Sequence, residues 1–499
     1  MPSVNWTCIS FAGLFGFLLP VIASAQGTDP VTEAQRLRDS GEFSAAADLL
    51  RARVVSNPED SAAARLYAQT VYWLKDFVRA RAAYEAAMVR HPEDESLRLQ
   101  YAQMLAETGD HAHARDLLRP LALNAITEAD AKTLLGMLAY WEGDFTGARH
   151  QFTAALDKNP NQQEARRQLQ EIEASTRPWL RVSSHAWRDD QPLQRDSLGL
   201  EAGWFLTPLI RMTAHVDPIR YRINGGVQSF LLTEGAISNY TPVLRLESEL
   251  SAGAIRRPGG VGTDWTARAG LGFRLPGHFT IRGRAERAPY LSTVASIDTP
   301  VMTRTATASL HWSDSHGWAG ETAYQWQQFP DRNGVHNAYG WMLAPLPFPK
   351  PVAIQAGYSI SQSNALASRF VFDGTAETLG RYSPYYTPDH RVEHSAIASI
   401  DIHDSHGLGF RLNGSYGVSA HDTAAFAFFD AAGRPALGTY LRRFSPWSFR
   451  TSLRIPVTKD FTLEPAGEAG RSAFYSWTSA AFQVTYHFKP ALARGTESR

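Results

Sequence analysis

Phe482-Gln-Val-Thr-Tyr-His-Phe488 puts four apolar side chains on one face of an extended chain and Gln483, Thr485 and His487 on the other. The same period of two recurs upstream. Leu408, Phe410, Leu412, Tyr416 and Val418 alternate with Arg411, Asn413, Ser415 and Ser419. Trp265, Ala267, Ala269, Leu271 and Phe273 alternate with Thr266, Arg268 and Arg274, and Phe279, Ile281 and Ala285 alternate with Arg282, Arg284 and Glu286. Such segments run to about ten residues or more, the length a tilted membrane strand needs. A soluble sandwich also alternates, but here the polar face carries Arg and Glu. Trp204, Trp312, Trp318, Tyr339, Trp341 and Trp447 fall near strand ends, where interfacial girdles lie.

From Trp179 onward sixteen strands can be drawn, the weakest at about 226–234, and fourteen is the alternative count. With sixteen, the even-to-odd connections are mostly short: Thr207-Pro208, Pro276-Gly277, Asp314–Gly317, Phe348–Lys350, Asp404–Gly407 and Thr458–Asp460. The opposite connections hold the long stretches near 289–300, 362–390 and 421–439. Short turns on one side and long loops on the other characterise outer-membrane barrels. The sequence thus predicts an all-β antiparallel transmembrane barrel over residues 176–490, followed by a polar tail, 491–499.

Ahead of it a different period rules. Gly41-Glu-Phe43, Lys75-Asp-Phe77, Gly109-Asp-His111 and Gly143-Asp-Phe145 stand 34 residues apart. Ala46, Ala80, Ala114 and Ala148 follow at one offset, then Leu50, Tyr84, Leu118 and Phe152 four residues on. Small against large at that spacing lets two antiparallel helices pack closely. A fixed period of this length is the signature of an α-helical tetratricopeptide repeat (TPR) solenoid. Four repeats fill 26–175 with a polar capping helix near Gln163–Ser175, and Pro120 predicts a kink or an early end in the third. Residues 1–25 read as a secretory signal peptide. An apolar run from Ile9 to Ile22 leads to Ala23-Ser24-Ala25, a small-x-small cleavage site. The expected location is therefore the bacterial outer membrane, with the repeats in the periplasm.

The 499 residues are 44% apolar and carry 49 basic against 49 acidic side chains, which excludes a disordered chain and argues against a nucleic-acid partner. The one cysteine, Cys8, excludes a disulfide framework. Charge is divided, however: 26–175 holds 17 basic and 23 acidic residues, so the barrel is basic. No Gly-x-Ser-x-Gly elbow, His-Glu-x-x-His or phosphate loop occurs, so neither an enzyme, a cofactor nor a metal site is expected.

The polar face of the barrel is the candidate site. Inward positions are expected for Arg211, His215, Arg245, Glu247, Glu249, Arg268, Arg274, Arg282, Arg284, Glu286, Arg411, Arg450 and Arg454. Guanidinium forks on a wet wall can hydrogen-bond hydroxyl, carboxylate or acetyl oxygens of a passing polymer. Paired with glutamates, they would only brace the wall. In the longest loop, Tyr382, Tyr385 and Tyr386, stiffened by Pro384 and Pro388, offer aromatic faces on which sugars could stack, or a lid over the mouth.

Signal peptide, TPR array, then a barrel of about sixteen strands closing on Phe488: in this order the chain resembles the exopolysaccharide export porins, such as the poly-N-acetylglucosamine export porin and the outer-membrane subunit of cellulose secretion. It departs from them in having only four repeats. The resemblance implies a channel for a polysaccharide, with periplasmic or inner-membrane biosynthesis proteins docking on the TPRs. The alternative is a plugged barrel that anchors the TPR module as a scaffold.

Overall fold

The computed structural model describes residues 29–190, 193–223, 225–257, 259, 262–298, 300–368, 385 and 387–489. The expected signal peptide and the polar tail lie outside them. Two compact units divide between Leu134 and Leu135.

The first unit is helical: α1 (Pro30–Asp39), α2 (Phe43–Ser56), α3 (Ser61–Trp73), α4 (Phe77–Arg90), α5 (Glu95–Glu107), α6 (His111–Leu121) and the start of α7 (Glu128–Trp141). Its 34-residue period is a period of caps. Asp76 and Asp110 each begin the second helix of a repeat and accept a backbone N–H three residues on, from Arg79 and His113. Asp60 and Asp94 do the same for the first helices, through Ala63 and Leu97. The turn before the cap needs a left-handed residue: Gly41 and Gly109 supply it at φ 82° and 91°, and Lys75 adopts it at φ 61°. Ala46, Ala80 and Ala114 are wholly buried, and Leu50, Tyr84 and Leu118 are wholly or almost wholly so; Ala46 and Leu50 share one core with Ala34 of α1. Helix α6, with Pro120 inside, stops after 11 residues where α2 and α4 run 14.

The second unit holds the rest of α7, then α8 (Phe145–Lys158), α9 (Gln163–Ser175) and one closed sheet. Its strands are β1 (Trp179–Asp189), β2 (Leu193–Thr207), β3 (Ile210–Ile223), β4 (Gly226–Thr241), β5 (Leu246–Arg256), β6 (Thr263–Leu275), β7 (Phe279–Tyr290) and β8 (Val301–Ser313). There follow β9 (Ala319–Gln328), β10 (Gly334–Leu346), β11 (Val352–Ala365), β12 (Arg391–His403), β13 (Gly409–Phe429), β14 (Pro435–Phe444), β15 (Trp447–Thr458), β16 (Phe461–Arg471) and β17 (Ser476–His487). Neighbours in sequence pair antiparallel, and β1 pairs with β17 from Trp179↔His487 to Asp189↔Trp477, closing the barrel. β14 and β15 both pair with β13, on successive stretches of it, and form one strand interrupted at Ser445-Pro446. The barrel therefore has sixteen strands, and the weak segment at 226–234 is the first part of β4.

The end at which α9 leads into β1 is called the near end. Counted over the sixteen strands, the even-to-odd turns lie there, all short. Two are copies of one device: Asp314 accepts from the N–H of His316 and Trp318, Asp404 from those of His406 and Leu408, and Gly317 and Gly407 stand at positive φ. At the far end one expectation needs correction. The stretch 421–439 is not a loop. β13 continues to Phe429 and returns as β14, because Asp430-Ala-Ala-Gly-Arg434 makes a tight turn in which Asp430 accepts from Ala432 and Arg434. Asp422, wholly buried, takes two hydrogen bonds from Arg442 at 2.9 and 2.6 Å and clamps the base of this ribbon.

Candidate functional site: the lumen wall

Alternation along each strand sends one set of side chains into the lumen. At the near end these line a cavity of about 670 Å³ that includes Arg211, Glu247, Glu249, Arg282, Arg284, Thr307, Ser309, Glu321 and Gln325. A second, of about 540 Å³, adds Trp179, Arg181, Glu201, His215, Glu234 and Arg268. Arg245 is the exception among the expected inward residues. It caps the 3-10 turn Pro242–Leu244 at φ 50°, exposed, because the chain reverses there before β5 begins.

Most inward cations are braced. Arg268 lies 3.6–3.7 Å from the carboxylates of Glu234, Glu249 and Glu286, one on each side and one beyond. Arg274 pairs with Glu247 and lies 4.9 Å from the Tyr240 ring centroid. Arg411 reaches Asp401 at 2.6 Å, Arg450 reaches Glu468 at 2.7 Å and Arg454 reaches Glu464 at 3.7 Å. Arg211, Arg282 and Arg284 differ: among the described residues no carboxylate lies within 4 Å of any of them, and all three are exposed to the lumen. The cross-strand neighbours explain this. Gly272 and Ser309 flank Arg282, and Gly270 and Thr307 flank Arg284, so room and hydroxyls stand where glutamates stand elsewhere.

The aromatic expectations fare unevenly. Tyr382 and Tyr386 lie outside the described residues. Tyr385 is buried, its ring stacked on Phe329 at 3.7 Å and its hydroxyl donating to Asp331, so its face is occupied rather than free for a sugar. Exposed far-end rings stand on the ribbon instead, at Phe426 and Phe428, 5.9 Å apart. Tyr339 and Trp341, expected in a girdle, face the lumen: the Tyr339 hydroxyl donates to Glu321 at 2.8 Å and Trp341 lies by His311.

Two inward apolar clusters at the far end escape the sequence reading. Leu193, Ile219, Tyr221, Phe230 and Ile255 continue the lumen-facing parity of Glu201, His215, Glu234 and Ser251. Onto them packs the short helix α10 (Val294–Asp298) from the β7–β8 connection, through the wholly buried Ile297. Phe329, Val335 and Tyr385, with Tyr290, Val301 and Ala365, form the other. A signal existed at His215-Val-Asp-Pro-Ile-Arg-Tyr-Arg222, where the polar phase inverts across Pro218.

The opposite face is apolar and open, with Leu250 58%, Leu271 52%, Met342 52% and Val418 61% exposed. Sixteen strands bearing such a band outward and charge inward have one solvent to suit them, a bilayer. The chain is a TPR array joined to an outer-membrane-type β-barrel. No family model and no curated protein matches the sequence. Among solved structures it is similar to a bacterial polysaccharide outer membrane secretin, at 11% identity over 63% of this chain and 99% of that one, TM-score 0.47. The outer membrane protein opdK from Pseudomonas aeruginosa is similar at 11% identity over 62% and 98%, TM-score 0.34. The repeats are similar to pilF of Pseudomonas aeruginosa, at 16% identity over 29% and 69%, TM-score 0.27.

Proposed function

We propose that the barrel is an export channel for an exopolysaccharide, with the TPR array in the periplasm holding proteins of the secretion machinery. The observation that carries this reading is the near-end lumen, where unpaired guanidinium groups, hydroxyls and amides line a space of about 670 Å³. Water fills such a wall at little cost, and a hydroxyl-rich chain can exchange hydrogen bonds along it without a deep binding minimum. Arg211, Arg282 and Arg284 are the contacts to polymer oxygens. Arg268, Arg274, Arg411, Arg450 and Arg454, with Glu247, Glu249 and Glu286, hold the wall.

The apolar clusters at the far end favour a second reading, a barrel closed at one mouth that serves as an anchor. Planar-bilayer recording of the full-length protein separates the two. The export reading expects steps of conductance that become larger and longer-lived when residues 291–300 are replaced by a short Gly-Ser linker. A folded barrel that stays silent after that replacement supports the anchor.

A further inference from the structure

The outward face of the barrel is asymmetric along its axis. On β1 to β8 the near-end outward positions are all uncharged, among them Leu180, Leu206, Met212, Leu246, Leu275 and Trp312. At the far end the same strands and the same face carry Arg188, Arg220, Arg222, Arg256, Arg287 and Arg304. Their parity is fixed by neighbours: Arg220 and Arg222 alternate with the buried Ile219 and Tyr221, Arg256 with the buried Ile255, and Arg304 with the buried Thr303.

Few carboxylates answer them. Arg222 reaches Asp196 at 3.2 Å, and Arg287 lies 3.8 Å from Asp264 while its guanidinium sits 4.0 Å from the centroid of the outward Trp265. Among the described residues, Arg188, Arg220, Arg256 and Arg304 have no ion pair. Arg287 and Arg304 stand directly opposite in the β7–β8 ladder. Like charges so placed repel, and the arrangement becomes favourable when an anion lies between them. Aromatic anchors occupy both interfaces of a membrane protein. This belt has one rim only, immediately beyond the apolar band that meets acyl chains.

We propose that this belt binds the phosphate groups of a phosphorylated membrane lipid, with the acyl chains lying on the apolar band below. The lipid class is one present in a single leaflet, at the level of the far rim. Planar guanidinium forks hold phosphate in two-point contact, and the neighbouring hydrocarbon face selects a lipid over a free anion. The proposal does not depend on what passes through the lumen.

The test uses the full-length protein in zwitterionic detergent, with bis-phosphorylated lipid A as the probe and the same lipid stripped of both phosphates as the comparison. Native mass spectrometry reads retained lipid, and the thermal midpoint of the barrel reads stabilisation. Phosphorylated lipid A should be retained and should raise the midpoint. The stripped lipid should do neither, and R220Q/R256Q/R304Q should weaken retention at least tenfold. R282Q/R284Q, on the lumen wall, should retain lipid as the wild type does. Equal retention of the stripped lipid overturns the proposal using the wild-type protein alone, whatever the folding of the variants. So does a midpoint shift reproduced by inorganic phosphate or by a soluble acidic polysaccharide, which would make the belt a general anion surface.

Discussion

Ile297 pins α10 to the inner wall, and its removal gives a measurable change. Its side chain is wholly buried among Leu193, Ile219, Tyr221, Phe230 and Ile255. Truncating a buried Ile to Ala costs about 2–5 kcal/mol, the transfer of the side chain plus the cavity it leaves. At about 3 kcal/mol the ratio of seated to unseated α10 falls roughly 150-fold, since about 1.4 kcal/mol is a factor of ten. Ser296, next to it, is wholly buried too and exchanges hydrogen bonds with Thr293. Ser296→Cys supplies a thiol that reacts with a membrane-impermeant maleimide only when the segment lifts, since the one other cysteine, Cys8, lies in the expected signal peptide. When reclosing outpaces labelling, the rate follows the open population. Ile297→Ala should then raise the labelling rate about 100-fold, with bilayer conductance rising in the same variant. An unchanged labelling rate in a folded barrel would refute the idea that this side chain holds the segment down.

Other predictions concern both units. Gly136→Ala should destabilise the last repeat by about 1–3 kcal/mol in urea titrations, because a Cβ there would lie 2.6 Å from the Phe152 ring. Asp110→Ala, which removes an N-cap, should cost about 1 kcal/mol, read by helix circular dichroism. The Asp60 carboxyl is held below the usual carboxylate range by the Ala63 N–H and by Arg53, against an opposing effect of burial. Its stabilisation is therefore complete above the unfolded carboxyl value of about 3.9 and is lost as pH falls through the lower folded value. Helix unfolding should steepen below pH ~4 in the wild type and less so in Asp60→Asn. On the lumen wall, Arg282→Glu with Arg284→Glu should raise cation selectivity without loss of folding. Arg268→Glu should impair assembly, since it would place a fourth carboxylate among Glu234, Glu249 and Glu286.

What the sequence made legible was whatever depends on period. Helix pairs followed from Ala and its large partner at 34-residue spacing, and strands from alternation strong enough that even the weak segment at 226 could be placed. Parity alone put Arg282 and Arg284 in the lumen, yet it could not say that they stand unpaired. That depends on which residues of β6 and β8 lie opposite, Gly270 and Gly272 on one side and Thr307 and Ser309 on the other. Arg245 was lost because alternation was carried one residue too far into a turn. Tyr385 misled because exposure was inferred from its place in a long connection, whereas Phe329, from a different connection, covers its ring. The inward clusters were hidden because the polar phase inverts at Pro218, and only tertiary contact with α10 gives apolar residues a reason to face inward.

The most direct test of the export channel is where the polymer goes in cells that lack this protein while the rest of the envelope is intact. The account expects polysaccharide to accumulate in the periplasm and to disappear from the cell surface, with both restored by the wild-type gene. Surface polysaccharide unchanged in amount, with none in the periplasm, would contradict it.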